Sequence, residues 1–444
     1  MIQSYDYQAT LHVNIDCRSR DVSSLAGSIN TTRGAEISCE MRDRAYRICR
    51  DYLHGAWKLI TPRDMVIKQI SGGLSNMLYY CALPGTHPPR ATEPSEVLLR
   101  IYGQVHGEDA LESVLAESVI FALLSERRLG PRLYGVFPGG RLEQFIPARP
   151  LFTRELADPE LSSIIASKMA NIHALNVPIS KEPSWIWNTM GKWLISGQEF
   201  LSKKPSINGV EPHIIERLQN INFDKEMDYL KNVVSKAQSP VVFAHNDMQE
   251  GNILMKTDTK SHGDHISLID FEYCSYNYRG FDLANHFCEW MYEYKLPVYP
   301  YFTVAKEDFP AKDKQLHFIR AYLEAYEASR RGKGSAFNSG NTEETSSVNV
   351  ASTLSNMTVS PLVNHCVAPS HPAEDKLLQE VQVFTLASHL FWGLWSIVQG
   401  QVSTIPFGYL DYAVTRMDHY FEDKAKLKVD HINKRKSDAI MDEV

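Results

Sequence analysis

The sequence predicts an α+β protein of two lobes, a small N-terminal lobe with an antiparallel sheet plus a helix and a larger, mostly helical C-terminal lobe. Three observations carry this. Strand-like runs cluster early, at Met65–Ile70, Leu78–Leu83, Val97–Tyr102, Leu133–Phe137 and Arg141–Ile146. Helical periodicity dominates afterwards, at Leu156–Leu175 and in Phe384–Gln401, an apolar stretch with two tryptophans. A chain of 444 residues is long enough for two lobes. The expected boundaries are an N-terminal extension over 1–38, the small lobe over 39–143, the large lobe over 144–424 and a charged tail over 425–444.

The elements follow in order. Residues 1–38 are polar without sustained periodicity and read as a flexible extension. From Glu40 to Leu59, Ala45, Ile48, Cys49, Tyr52, Leu53 and Ala56 form a helical stripe. The first two strands flank the small-residue turn Ser71-Gly72-Gly73-Leu74-Ser75-Asn76, and the Pro-rich Pro84–Pro94 is a loop before the third. A helix over Asp109–Leu129 is stopped by Gly130-Pro131, and Pro138-Gly139-Gly140 turns a hairpin. A second short hairpin is expected at Ile253–Lys256 and Ile266–Ile269, across the polar turn Thr257–His265. Residues 331–373 are rich in Ser, Asn, Thr and Gly; they have too little apolar surface to offset ordering entropy and read as a disordered insertion. The tail from Glu422 reads as a solvated helix or frayed end.

Composition narrows the function classes. The formal charge of −7 argues against a global nucleic-acid footprint. No run is read as long enough for a transmembrane span, and Met1–Arg20 lacks the pattern of a signal peptide. The seven cysteines, Cys17, Cys39, Cys49, Cys81, Cys274, Cys288 and Cys366, include no Cys-x-x-Cys pair. Reduced thiols and a cytoplasmic location are expected, and zinc is not.

Two segments carry the chemistry. His245-Asn246-Asp247-Met248-Gln249-Glu250-Gly251-Asn252 follows an apolar strand, and Leu268-Ile269-Asp270-Phe271-Glu272-Tyr273 ends another. Phosphoryl transfer from a nucleotide needs a carboxylate to take the proton of the attacking hydroxyl and hard oxygen ligands for Mg²⁺. Asp247 fits the first role, and Asn252 and Asp270 the second, in the order seen in kinase catalytic and metal loops. Glu272 is either a further metal carboxylate or a surface hydrogen-bonder. His245 reads as a structural hydrogen-bonder in the loop. The turn Ser71–Met77 is either a plain hairpin or, through its backbone N–H groups, a phosphate cradle. Arg100, in the third strand, offers a permanent charge and a fork to phosphate oxygens, with Glu117 as expected ion-pair partner and Glu112 as competitor. Trp392 and Trp395, three apart on one helix face, with Tyr409, Tyr412, Tyr273, Tyr294, Trp290 and Glu289, are either core or a cage for a quaternary ammonium.

These residues resemble the choline kinase family. The resemblance is carried by Val242–Asn252, by Leu268–Asp282, by Asn285–Trp290, by the Gly-Gly-Leu-Ser-Asn-Met turn, by Leu-Leu-Arg-Ile-Tyr-Gly, by Glu143–Pro147 and by Trp392–Ser396. It runs from about Ile48 to Tyr420, apart from 331–373. It implies a protein-kinase-like bilobal fold and ATP-dependent phosphorylation of choline, the first step of phosphatidylcholine synthesis, with Mg²⁺. It places Ser71, Gly72, Gly73, Leu74, Ser75, Asn76, Met77, Arg100, Glu117, Gln144, Phe145, Ile146, Pro147, Ala148, Arg149, Gln249 and Asp270 at the nucleotide. Tyr273, Glu289, Tyr294, Trp392, Trp395 and Tyr412 would line the choline pocket, and Asp282 would anchor the catalytic loop. It also implies a homodimer. Pro150 replaces a basic residue usual after Arg149, Cys274 stands where Ser is commoner, and the insertion is longer than usual. The alternatives are a kinase for ethanolamine or another small amino alcohol, an aminoglycoside kinase, which needs an acidic pocket, and a non-catalytic ammonium-binding scaffold, which the presence of Asp247, Asn252 and Asp270 disfavours.

Overall fold

The computed structural model describes residues 37–72, 76–102, 108–203, 210–257, 265–294, 296–335, 371–403 and 405–441. The expected flexible extension up to residue 36, the turn residues Gly73, Leu74 and Ser75, and residues 336–370 of the expected insertion lie outside the described residues. The chain divides into two compact units: one runs to Leu151 and takes in Glu250–Glu272, and the other comprises Phe152–Gln249 and the chain from Tyr273 onward. The division therefore falls at Leu151 rather than after residue 143, and the hairpin expected in the large lobe belongs to the first unit.

In the first unit, α1 (Cys39–Tyr52) precedes a sheet of β1 (Val66–Gly72), β2 (Asn76–Ala82), β3 (Glu96–Tyr102), β4 (Leu133–Phe137) and β5 (Gly140–Gln144), with α2 (Glu108–Glu126) between β3 and β4. The strand order is β1-β2-β3-β5-β4, with every pair antiparallel. Side chains alternate across a strand, so each strand serves two faces. Val97, Leu99 and Ile101 of β3 and Leu142 of β5 enter an apolar core with Ala45 and Cys49 of α1 and with Trp57. Their neighbours Arg100, Arg141 and Glu143 point to the opposite face, where Arg141 lies 4.2 Å over the Phe121 ring of α2.

The helix expected over Glu40–Leu59 ends at Tyr52. Gly55 has φ +57°, the left-handed region, and an added Cβ would lie 2.2 Å from the Glu93 carboxylate that accepts from the Ala56 N–H. A short 3₁₀ turn, Gly55–Lys58, takes over and still buries Ala56 and Trp57. A three-stranded sheet completes the unit, in the order β6 (Ala148–Pro150), β8 (Ile253–Lys256), β9 (Ile266–Leu268).

The second unit is helical around one short strand pair, β7 (Val241–Ala244) with β10 (Ser275–Tyr278). Its helices are α3 (Pro159–His173), α4 (Ser184–Ser202), α5 (Pro212–Gln219), α6 (Phe223–Ala237), α7 (Arg279–Glu289), α8 (Lys312–Ser335), α9 (Pro372–Val402) and α10 (Tyr409–Met441), and β11 (Tyr292–Glu293) pairs with β12 (Thr303–Val304). Asp158 caps α3 by accepting from the N–H groups of Glu160 and Leu161, with Pro159 at the first position. The charged tail continues α10 as helix to Met441.

The apolar run expected at 384–401 is the inner part of α9, which starts twelve residues earlier behind a cap from His371. Contrary to the reading that no run suffices, α9 is long and apolar enough to cross a membrane by length and composition. However, 83% of its most apolar window is buried inside the protein, so it is a core helix. All of α7 is buried too. Its start is tied down by Arg279, whose Nε donates to Glu380 Oε2 of α9 at 3.1 Å, and by Ser239, which accepts from the Gly280 N–H and donates to the same carboxylate.

At Gly280 α7 and α9 approach closely: an added Cβ would lie 2.4 Å from Phe384 Cδ2 and 3.1 Å from Glu380 Cβ. Gly280→Ala is expected to lower unfolding free energy by about 1–3 kcal/mol, the usual cost of overpacking. Thermal and urea unfolding measure it; an unchanged midpoint would show that Phe384 moves aside freely.

Candidate active site

In the second unit, β7 delivers His245, Asn246 and Asp247 into a loop that has no regular structure to satisfy its amides. A single carboxylate does so. Asp282, in the first turn of α7, accepts from the His245 N–H at 2.9 Å and the Asn246 N–H at 2.8 Å, and its Oδ2 lies 2.9 Å from His173 Nε2. His173 is oriented by Tyr322, whose hydroxyl is 2.8 Å from Nδ1. Burial pushes the Asp282 carboxyl up, but the bonds from His173 and His245 outweigh it and hold it below the usual carboxylate range.

Asn246 has φ +68°, which Asn tolerates better than most residues. Its side chain spans β10: Nδ2 donates to Tyr273 O and Ser275 Oγ, and Oδ1 accepts from Asn277. His286 Nδ1 lies 2.8 Å from Met248 O, and burial holds this ring neutral, with its pKa near 4. The result is a loop in which His245, Asn246, Met248 and Gln249 are buried while Asp247 is half-buried. His245 accepts from the Asp247 N–H through Nδ1 at 3.3 Å, in line with its expected structural role.

The expected ammonium-site residues also lie in this unit. The Tyr273 and Trp392 rings meet edge-on at 5.8 Å, and Trp392 and Trp395 at 5.5 Å. Trp392 Nε1 donates to Asn285 Oδ1, which also accepts from Ser388. Tyr294 donates to Glu289 Oε2 at 2.6 Å, and its hydroxyl is 2.8 Å from that of Tyr412. The Tyr409 ring centre lies 6.0 Å from that of Trp395, the two rings tilted by 56°. Sequence reasoning missed Asn285 and Arg416; the latter is fully buried and pairs with Glu289. Arg416 lies four residues after Tyr412, hence on the same helix face, which is the signal that marks it.

In the first unit, the charged face of the sheet forms a chain of ion pairs. Glu143 takes Arg100 Nε on Oε1 at 3.3 Å and Arg141 Nε on Oε2 at 3.1 Å. Arg141 Nη1 reaches Glu117 Oε1 at 2.6 Å and the Tyr102 hydroxyl at 3.1 Å. Glu117 thus pairs with Arg141, and Arg100 with Glu143, rather than the expected Arg100–Glu117 pair; the Glu112 side chain lies outside the described residues. The two arginines sit opposite each other in the β3–β5 register, and Arg141 is the one that reaches Glu117 of α2. Arg141 and Glu143, unassigned from sequence, are two apart on one strand and so share a face.

Asp270 follows β9 with φ +62°. Burial pushes its carboxyl up to about 6, with Glu117 and Glu143 adding to the rise and Arg100 and Arg141 opposing it. Asn252 is buried, and its carbonyl accepts from the Ile269 N–H at 3.1 Å, which fixes one segment against the other. Among the described residues no three His, Cys, Asp or Glu cluster as metal ligands. Asp270, Asn252 and Glu272 are all oxygen donors, the set that suits Mg²⁺ shared with substrate phosphates better than a closed protein cage.

The stretch expected at the nucleotide leaves the sheet at Gln144, whose Oε1 accepts from the Arg132 N–H. Phe145 packs edge-on against Tyr80 at 4.7 Å, Ile146 joins Ala148, Leu254 and Ile269, and Pro147 O accepts from Thr257. Arg149 donates to Pro150 O, which places Pro150 inside β6, paired with Leu254. Ser71, Gly72, Asn76 and Met77 are the ends of β1 and β2.

The family model for choline/ethanolamine kinase matches residues 67–421. The chain belongs to the choline/ethanolamine kinase family. It is 43% identical to a human choline/ethanolamine kinase over 399 residues, 90% of each chain. It is 35% identical to choline kinase A2 of Caenorhabditis elegans, covering 92% of each. The solved choline kinase of Cryptosporidium parvum is 27% identical and superposes with a TM-score of 0.65, over 88% of this chain and 97% of that one. The kinase thus has the expected α+β fold, shared with that choline kinase.

Asp282→Asn is expected to cost the kinase about 3–5 kcal/mol of stability, the range for breaking a buried charged network. Because the folded-state pKa of Asp282 is depressed, its contribution is present above the unfolded carboxylate value of about 4 and is lost as pH falls below it. Urea unfolding at pH 7 checks the loss; a variant within about 1 kcal/mol of wild type, the worth of one hydrogen bond, would contradict it.

Proposed function

We propose that this kinase transfers the γ-phosphoryl group of ATP to the choline hydroxyl, giving phosphocholine and ADP, with Mg²⁺ as cofactor. The observation that carries the reading is the half-buried Asp247 carboxylate, held in an otherwise buried loop of the unit that also contains the aromatic set around Trp392 and Trp395. Asp247 accepts the hydroxyl proton as the oxygen attacks the γ-phosphorus; the new P–O bond forms as the bond to the ADP oxygen breaks. Arg100 faces the phosphates with a permanent charge, and Asn252, Asp270 and Glu272 would hold Mg²⁺. When bound, the cation neutralises charge on the phosphate oxygens. The turn Ser71–Met77, the stretch Gln144–Arg149 and Gln249 serve the nucleotide.

Tyr273, Glu289, Tyr294, Trp392, Trp395 and Tyr412 receive the trimethylammonium. Its methyl groups offer no hydrogen-bond donors, so aromatic faces bind it by cation–π attraction, roughly 0.5–2 kcal/mol each. Ethanolamine is the second substrate of this reading, since the family name joins the two alcohols. The five described cysteines are free thiols, which supports a reducing, cytoplasmic setting. A homodimer rests on family resemblance alone.

Asp247→Ala is expected to lower kcat for choline by roughly 10²–10⁴ or more, the scale of general-base and positioning effects, while ATP affinity and the melting temperature stay near wild type. Steady-state kinetics with nucleotide titration check this; a variant keeping more than about a tenth of wild-type kcat would sink the assignment.

A further inference from the structure

The second unit buries a cation that the transfer chemistry does not use. Arg416, on α10, is fully buried. Its guanidinium donates to Glu289 Oε1 and, at 2.8 Å through Nε, to the Tyr412 hydroxyl; Nη2 is 3.3 Å from the Tyr294 hydroxyl. Its Cζ stands 3.9 Å from the centre of the Tyr292 ring. Nη1 is 3.5 Å from His389 Nδ1, and burial together with Arg416 holds that ring neutral.

Two consequences follow for a substrate cation. The Glu289 charge is balanced, so an incoming cation meets a neutral pair rather than a bare carboxylate. The polar oxygens are also engaged. Each Glu289 oxygen already accepts one bond, the Tyr294 and Tyr412 hydroxyls bond each other, and Asn285 Oδ1 accepts from both Ser388 and Trp392. A primary ammonium leaving water must replace hydrogen bonds for three N–H groups, and an unreplaced one is costly. A trimethylammonium has none to replace.

We propose that Arg416 is a specificity-determining positioning residue. By pairing with Glu289 and holding the hydroxyls of Tyr294 and Tyr412, it keeps the site neutral and poor in acceptors, which favours trimethylammonium alcohols over primary-ammonium ones. The proposal rests on the reading of these residues as the choline site.

Steady-state kinetics with choline and ethanolamine on the full-length protein test it. Arg416→Met removes the charge at similar length and bares the Glu289 carboxylate. The choline-to-ethanolamine ratio of kcat/KM is then expected to fall at least about tenfold, one carboxylate's worth of discrimination. Arg416→Lys keeps the charge and should restore most of the ratio. A purely structural role would lower both substrates alike, and an unchanged ratio in an active Arg416→Met enzyme overturns the proposal.

If Arg416→Met does not fold, replacing the pair as a unit, Arg416→Met with Glu289→Gln, carries the test. Neither partner is then charged, so the ratio should stay within about threefold of wild type. Glu289→Gln alone leaves Arg416 unbalanced and should lower kcat/KM for both cations by more than about tenfold. A pair variant that loses discrimination, or a Glu289→Gln enzyme with wild-type kinetics, overturns the proposal. Wild-type protein that phosphorylates neither alcohol overturns the functional reading and the proposal with it; wild-type activity with an unmoved ratio in the variants overturns the proposal alone.

Discussion

The Asp282 carboxylate is the constraint on which the loop after β7 depends. A loop entering a helical interior brings amides that no ladder satisfies, and each buried orphan costs about 1–3 kcal/mol. Asp282 takes two of these amides and an imidazole, and those bonds outweigh the burial of its own charge. With the amides of His245 and Asn246 fixed, the chain has one direction in which to continue. Asp247 is left as the loop residue that reaches solvent. A buried carboxylate thereby fixes the loop from which Asp247 projects.

Both units assemble their remaining charge by alternation. On the sheet of the first unit, Glu117, Arg141, Glu143 and Arg100 run as acid, base, acid, base. Asp270 lies beside them, and burial pushes its carboxyl up to about 6, with Glu117 and Glu143 adding to the rise and Arg100 and Arg141 opposing it. In the second unit, Glu289 and Arg416 cancel, and the neutral His389 adds no charge beside them.

Much of this was legible in the sequence, and the exceptions have physical causes. Asp247, Asn252 and Asp270 stood out because their spacing and flanking apolar strands are local. The five strands of the first sheet were readable as short strand-like runs separated by Gly- and Pro-rich turns. The helix from Glu40 overran because Leu53 and Ala56 continue the apolar pattern, while its end is set by Gly55 and a carboxylate 37 residues away. The strand β6 is three residues long, contains Pro150 and exists through pairing with β8, so no local pattern announces it. Arg416, Asn285, Arg141 and Glu143 were missed for one shared reason. A buried polar residue looks like a surface one until its distant partner is known. The beginning of α9 was missed because its first turns are polar on one face, and the apolar pattern becomes continuous only from Phe384.

The central claim is that this fold phosphorylates choline. The direct measurement incubates the wild-type protein with ATP and Mg²⁺ and, in parallel, choline, ethanolamine or an aminoglycoside, and quantifies ADP together with each phosphorylated product. The account predicts phosphocholine and ADP in equal amounts, a lower kcat/KM for ethanolamine and no aminoglycoside product. ADP release that choline does not stimulate, or phosphorylation confined to the aminoglycoside, would contradict it.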